Sequence, residues 1–382
     1  MRLYRGFPTP SDRMGALWAL SGVEDAFIIE FGPAGTTHFA IEGFMQFDCD
    51  MHGHTYTTHM DESDITFGEE TRLVNAVKEI DAKYKPKYIF LSGSSISAII
   101  GIDLTSVIFG LQEEVQAKLI ALPDCDFTSS HRKGIANITK LLVKEVVQPA
   151  KETKPLTYNL MGLNVCDYNW RSDHQEIKRM LAERLNLNLI TSFTMDTTIE
   201  AVETSAQAAV NVVLHPSVEP AAKLMKKKYG VPYVMGRPYG LEQTEQLLED
   251  LAQALDTLLL DGDATDNQLA QYAESAISRR LKQGGVRRIW LKDFMGSVPG
   301  LAGYLTDLGF DVVESDHAPD TYDMLLGDQV TAEQLERSGA DVQSIQVSYP
   351  SHGQMNRFIH TPYMGIRGVA YLSQALYNAM KK

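Results

Sequence analysis

Residues 49–59 bring together one thiol and three imidazoles, in Cys49-Asp50-Met51-His52-Gly53-His54 and the following His59. Thiolate and imidazole are the side chains that hold zinc and iron, which makes Cys49, His52 and His54 candidate metal ligands. The plainer alternative is a histidine-rich surface loop. The turn Gly32-Pro33-Ala34-Gly35-Thr36-Thr37-His38-Phe39 lets the backbone approach a ligand closely, or simply joins a strand to a helix. Arg237, between Gly236 and Pro238, has the charge to bind an anionic carboxylate in a cleft or to form a structural ion pair. Cys125 lies between two carboxylates, which raise a thiol's pKa and make it a poor nucleophile. Cys166 follows a strand and has nothing obvious to pair with, which suits a structural role. Asp61, Glu62 and Asp64 suit the start of a helix, where carboxylates meet free N–H groups. Neither Gly-x-Gly-x-x-Gly, nor a Walker A loop, nor a nucleophile elbow occurs, so none of these motifs supports dinucleotide, nucleoside triphosphate or hydrolase chemistry.

Such groups need elements to hold them. Short apolar runs rich in β-branched residues are predicted as strands at 26–31, 88–92, 118–122, 158–163, 187–193, 208–215, 232–236, 287–292, 310–314, 323–327 and 344–349. Helical periods at 176–185, 219–229 and 241–259 separate some of them. This alternation predicts an α/β fold of three doubly wound, Rossmann-like parallel-sheet domains around a central cleft. The polar, two-proline stretch at 148–155 and the acidic turn at 261–266 place the domains at 1–152, 153–265 and 266–382. In such sheets ligands bind beyond the carboxyl ends of the strands, so the residues there matter most.

Bulk composition narrows the function. Among 382 residues, 44% are hydrophobic and 22% charged, as in a soluble globular protein. A net charge of −14 speaks against nucleic-acid binding, which needs clustered Lys and Arg. The run Lys226-Lys227-Lys228 reads as the last turn of a helix, where cations suit the dipole. The first residues lack an apolar signal core and no uninterrupted apolar run of membrane length occurs, so the expected location is the cytoplasm, away from membranes. Three widely spaced cysteines do not make a disulfide framework.

Taken in order, several segments resemble the component 1 proteins of the nitrogenase family, which includes dark-operative protochlorophyllide reductase and cofactor-assembly scaffolds. The turn at Gly32-Pro33-Ala34-Gly35 resembles the family's Gly-Pro-x-Gly-Cys, and Glu62-Ser63-Asp64-Ile65-Thr66-Phe67-Gly68 its Glu-x-Asp-Ile-x-Phe-Gly. The strand end before Ile99-Ile100-Gly101-Ile102-Asp103 resembles its Thr-Cys followed by Ile-Gly-Asp-Asp. Asn159-Leu160-Met161-Gly162, Tyr229-Gly230-Val231-Pro232-Tyr233 and Pro362-Tyr363-Met364-Gly365 continue the series almost to the end of the chain.

The resemblance implies three α/β domains and a ligand in the central cleft, either a metal cofactor or a tetrapyrrole-like molecule. It implies a homodimer or a heterodimer with another component 1-like subunit, and an ATP-dependent iron–sulfur reductase as a further partner. Thr36 and Ser95 stand where the family carries cluster cysteines, and no cysteine precedes Cys49. Hydroxyl oxygens are poor ligands for an iron–sulfur cluster, so this is expected to be a divergent member, any such cluster needing ligands shared by a partner subunit. His215 occupies the position of the cysteine that binds the metal cofactor in the nitrogenase α subunit, and imidazole is a competent ligand there. A strand-end histidine bonded to nearby backbone is the other reading. His352 and His360 fall near the segment that carries the same subunit's cofactor histidine. The function implied is an oxidoreductase-type subunit of a reductive or cofactor-assembly system. The alternative is a non-redox cofactor-binding scaffold that has lost the cluster.

Overall fold

The computed structural model describes residues 9–47, 54–123, 129–284, 286–351 and 360–380. Twelve strands among them form three four-stranded parallel sheets. The first sheet holds β1 (Phe27–Phe31), β2 (Thr55–Thr57), β3 (Tyr88–Gly93) and β4 (Lys118–Ala121) in the order β2-β1-β3-β4. The middle sheet holds β5 (Thr157–Met161), β6 (Asn188–Ser192), β7 (Val210–Val213) and β8 (Tyr233–Met235) in the order β6-β5-β7-β8. The third repeats the pattern with β9 (Arg288–Leu291), β10 (Asp311–Glu314), β11 (Met324–Gly327) and β12 (Gln343–Gln346), ordered β10-β9-β11-β12. In each sheet the chain winds to one side of the first strand and then crosses to the other, so the strand order switches at β1/β3, β5/β7 and β9/β11. The α/β fold with three doubly wound sheets is as the sequence predicts.

Central strands β1, β5, β7 and β11 are buried along their whole length and mostly apolar, with Glu30, Asn159 and Asn211 as buried polar members. Edge strands are half-exposed, and β2, with the short polar sequence Thr-Tyr-Thr, gave no apolar signal to read. The helix Trp170–Leu185 starts before the predicted period because its first turns are polar, and Gly240–Ala254 stops short of Leu259. The acidic turn at 261–266 is in part the start of a 19-residue helix, Ala264–Lys282, capped by Asp263 accepting from Thr265 N (2.8 Å) and Asp266 N (3.1 Å). Asp61 and Asp64 form a capping box on Glu62–Phe67, and Lys226–Lys228 close the helix Glu219–Tyr229.

The cores cross between sheets. One apolar cluster is confined to the first sheet. A second joins the helices Asp12–Ser21 and His131–Glu145 to the back of the middle sheet, and takes in Met295 and Tyr349 from the third. A third joins the middle and third sheets through Trp170–Leu185, Ala264–Lys282 and the last helix, Gly365–Ala379. The helices Asp12–Ser21 and His131–Glu145 cross at two glycines. A Cβ on Gly15 would overlap the His131 carbonyl, and one on Gly134 the Asp12 carbonyl. That crossing places the first residues of His131–Glu145, His131 and Arg132, beside the third sheet.

Candidate functional site

Polar groups converge where the middle sheet's carboxyl edge meets the loop after β9. His215 ends the run that contains β7, at the β5/β7 crevice. Gly162, just after β5, has φ +100°, and a Cβ there would lie 2.5 Å from the His215 backbone nitrogen. Only glycine lets these two strand ends close on each other. Arg237 follows β8, Asp167 follows β5, and Arg132 enters from the helix His131–Glu145.

The loop 293–298 is the common partner. His131 Nε2 lies 3.0 Å from Met295 O, and Arg132 Nε donates to the same oxygen at 2.7 Å. Arg132 Nη2 also donates to Ser297 Oγ (3.0 Å) and is paired with Asp167, whose second oxygen accepts from Asn164 N at 2.8 Å. Arg237 Nη2 donates to Ser297 O. Asp293 holds the loop's shape by accepting from Ser297 N and Val298 N, both at 2.7 Å. Further in, Asp173 accepts from Tyr363 N (2.6 Å) and Met364 N (3.0 Å), tying the segment before the last helix to this centre.

Both ring nitrogens of His215 are engaged. Nδ1 accepts from Ser217 N (3.1 Å) and lies 2.8 Å from Ser217 Oγ, which leaves the proton on Nε2, 2.9 Å from Gly296 O. These are the bonds of a strand-end histidine held by nearby backbone. Burial, and then the charges of Arg132 and Arg237, push its pKa down to about 3, so the ring is neutral. Burial raises Asp167, but Arg132 and Arg237 outweigh it and hold the carboxyl below its usual value. Burial lifts Asp173 to about 7 against the pull of its two backbone donors.

The neutral ring has a consequence for stability. The unfolded histidine titrates near 6.5 and the folded one near 3, so folding excludes a proton, and stability is lost as pH falls below 6.5. His215→Gln, which keeps a donor for Gly296 O, should remove this dependence. The gap in unfolding free energy between wild type and variant should then narrow by about 1.4 kcal/mol per pH unit from about pH 6.5 to about 4.5. A gap that stays flat across urea titrations in that range would mean the ring is free to charge in the folded protein.

Other predicted residues lie apart from this centre. Thr36, on the helix Ala34–Gln46 after β1, and Ser95, first residue of Ser95–Ile99 after β3, both stand half-buried at the carboxyl edge of the first sheet. Thr36 Oγ1 donates to Pro33 O (2.8 Å), and its carbonyl accepts from Arg13 Nη2 (2.9 Å). Arg13 is also paired with buried Glu30, whose pKa burial raises against that neighbouring charge. Hydroxyl and carboxylate oxygens here do not fit an iron–sulfur cluster. His54 packs edge-on against Phe27 (4.3 Å between centroids) at the amino end of β2, while His59 is exposed beyond its carboxyl end. Cys49, His52, Cys125 and His352 lie outside the described residues, and His360 is exposed. Cys166 is buried in the shared core. Among the described residues no group of three or more His, Cys, Asp and Glu side chains could hold a metal ion. No helix among them is long and apolar enough to cross a membrane.

Sequence reading missed Arg132, Asp167, Asp173 and Asp293. Asp167 and Asp293 each follow a predicted strand by a few residues, a position that the carboxyl-end rule marks for inspection.

Comparison with known proteins agrees with this architecture. A solved structure, "Nitrogenase Cp1 at pH 6.5", superposes with a TM-score of 0.82 at 16% identity, over 100% of this chain and 94% of that one. The nitrogenase iron-molybdenum cofactor biosynthesis protein NifE of Clostridium pasteurianum is 26% identical over 244 residues, 63% of this chain and 52% of the relative. NifE of Nostoc sp. is 25% identical over 96% of this chain and 82% of its own length. The chain spans about half the length of most of the curated relatives it matches. The family model described as nitrogenase component 1 type oxidoreductase matches residues 11–315, and the chain belongs to that family.

Proposed function

We propose that this chain is a component 1-like subunit that works in metal-cofactor assembly, holding the cofactor or a precursor in the crevice between the middle and third sheets. The observation that carries the reading is the buried polar centre at the β5/β7 carboxyl edge, built from His215, Arg237, Arg132 and the loop 293–298. The matched relatives named for cofactor biosynthesis support the choice of assembly over substrate reduction. So do Thr36 and Ser95, which offer oxygen where electron transfer through a cluster would need thiolate. His215 is our candidate contact, with the Gly296 carbonyl as the group a ligand would displace from Nε2. A second component 1-like chain as partner, an ATP-dependent iron–sulfur reductase as electron source and a cytoplasmic setting belong to the same proposal.

Purified without oxygen from cells that make the cofactor, the chain should carry iron and acid-labile sulfide. A Thr36→Ala, Ser95→Ala double variant should keep them, and His215→Ala should lose most of both. Metal-free wild-type protein would sink the reading, and so would a double variant that loses its iron.

A further inference from the structure

We propose that Arg237 anchors a carboxylate group of the ligand that occupies this crevice, an inference that rests on the crevice being the binding site. Arg237 is only 9% exposed, yet one of its three guanidinium nitrogens is engaged. Nη2 donates to Ser297 O, whereas Nε and Nη1 are buried and meet no acceptor among the described residues. The guanidinium carbon lies 5.7 Å from the centre of the Tyr239 ring, which supplies a π face but no oxygen lone pair to those nitrogens. A buried cation with unmet N–H donors is costly, and native proteins almost always pair such groups.

The contrast with Arg132 is informative. Both guanidiniums grip the same loop, but Arg132 is served by Asp167, Ser297 Oγ and Met295 O. The nearby carboxylates are committed elsewhere: Asp167 to Arg132 and Asn164 N, Asp173 to Tyr363 N and Met364 N, Asp293 to Ser297 N and Val298 N. The fold therefore supplies a charged fork and withholds its acceptor. The planar guanidinium matches a carboxylate, and a single negative charge neutralises it. A dianionic phosphate would add charge beside Asp167 and Asp173, whose fields already reach Arg237.

Thermal unfolding of the metal-free full chain tests this, with acetate and succinate as probes and phosphate, chloride and glycerol as comparators at matched ionic strength. Either carboxylate should raise Tm by about 1–2 °C at tenfold over its Kd. Arg237→Gln, checked for fold by far-UV circular dichroism, should weaken the apparent affinity at least tenfold. If the glutamine variant does not fold, Arg237→Lys keeps the charge and loses the fork, and several-fold weakening is expected. No rise in the wild type, an equal rise in either variant, or a larger rise with phosphate or glycerol would each overturn the assignment. The measurement uses metal-free protein, so its outcome is separate from the iron and sulfide content that tests the cofactor-assembly reading.

Discussion

Arg132→Leu should cost the fold about 3–5 kcal/mol, read as a lower urea midpoint with an unchanged slope. The loss has two sources. The variant strands the Asp167 carboxylate, which is 4% exposed and held ionised chiefly against burial by Arg132. It also removes the Arg132 donors to Met295 O, which keeps only His131 Nε2, and to Ser297 Oγ, two of the loop's holds on the helix His131–Glu145. The double variant Arg132→Leu, Asp167→Leu removes the stranded charge and should recover more than half of the loss, as buried ion pairs replaced as a unit commonly do. If the single variant lost less than about 1 kcal/mol, or the double variant fared worse still, the pair would be solvated rather than buried.

Gly134→Ala should destabilise by about 2–3 kcal/mol, at the upper end of overpacking costs, although alanine normally favours a helix. The obstacle to the new methyl is the Asp12 carbonyl and the Ala16 nitrogen, backbone atoms of the helix Asp12–Ser21 that cannot rotate away. Gly15→Ala meets the His131 carbonyl from the other side and should behave alike. Gly110→Ala is the control: it is helical and exposed, with nothing within 4 Å of the added atom, and should gain about 0.5–1 kcal/mol. Chemical denaturation of the three variants separates the outcomes. Neutral behaviour at both Gly15 and Gly134 would mean that the two helices pack further apart than described.

The sequence made the sheets legible where physics makes them repetitive. Strands covered on both faces must be mostly apolar, so Ile28-Ile29, Ile89-Phe90-Leu91 and Val212-Val213 announce themselves. Edge strands lack that requirement, and Thr55-Tyr56-Thr57 passed as loop. Two members of the polar centre, His215 and Arg237, were found because they close strands or flank a glycine. Arg132 and Asp167 were not, because their pairing spans 35 positions and joins different sheets. The partners of His215 on Gly296 and of Arg237 on Ser297 depend on a loop that reaches across from the third sheet, and no local pattern encodes such a reach.

Phe47 and Tyr349 stand 4.8 Å apart, though one follows the first sheet's second helix and the other ends the third sheet. With Met295 they stitch the two outer layers through a single oily seam. Severing the chain between sheets would leave each fragment with a wet gash rather than a finished surface, so no third of the molecule is expected to stand alone. The same seam opposes large hinge swings between the two outer layers.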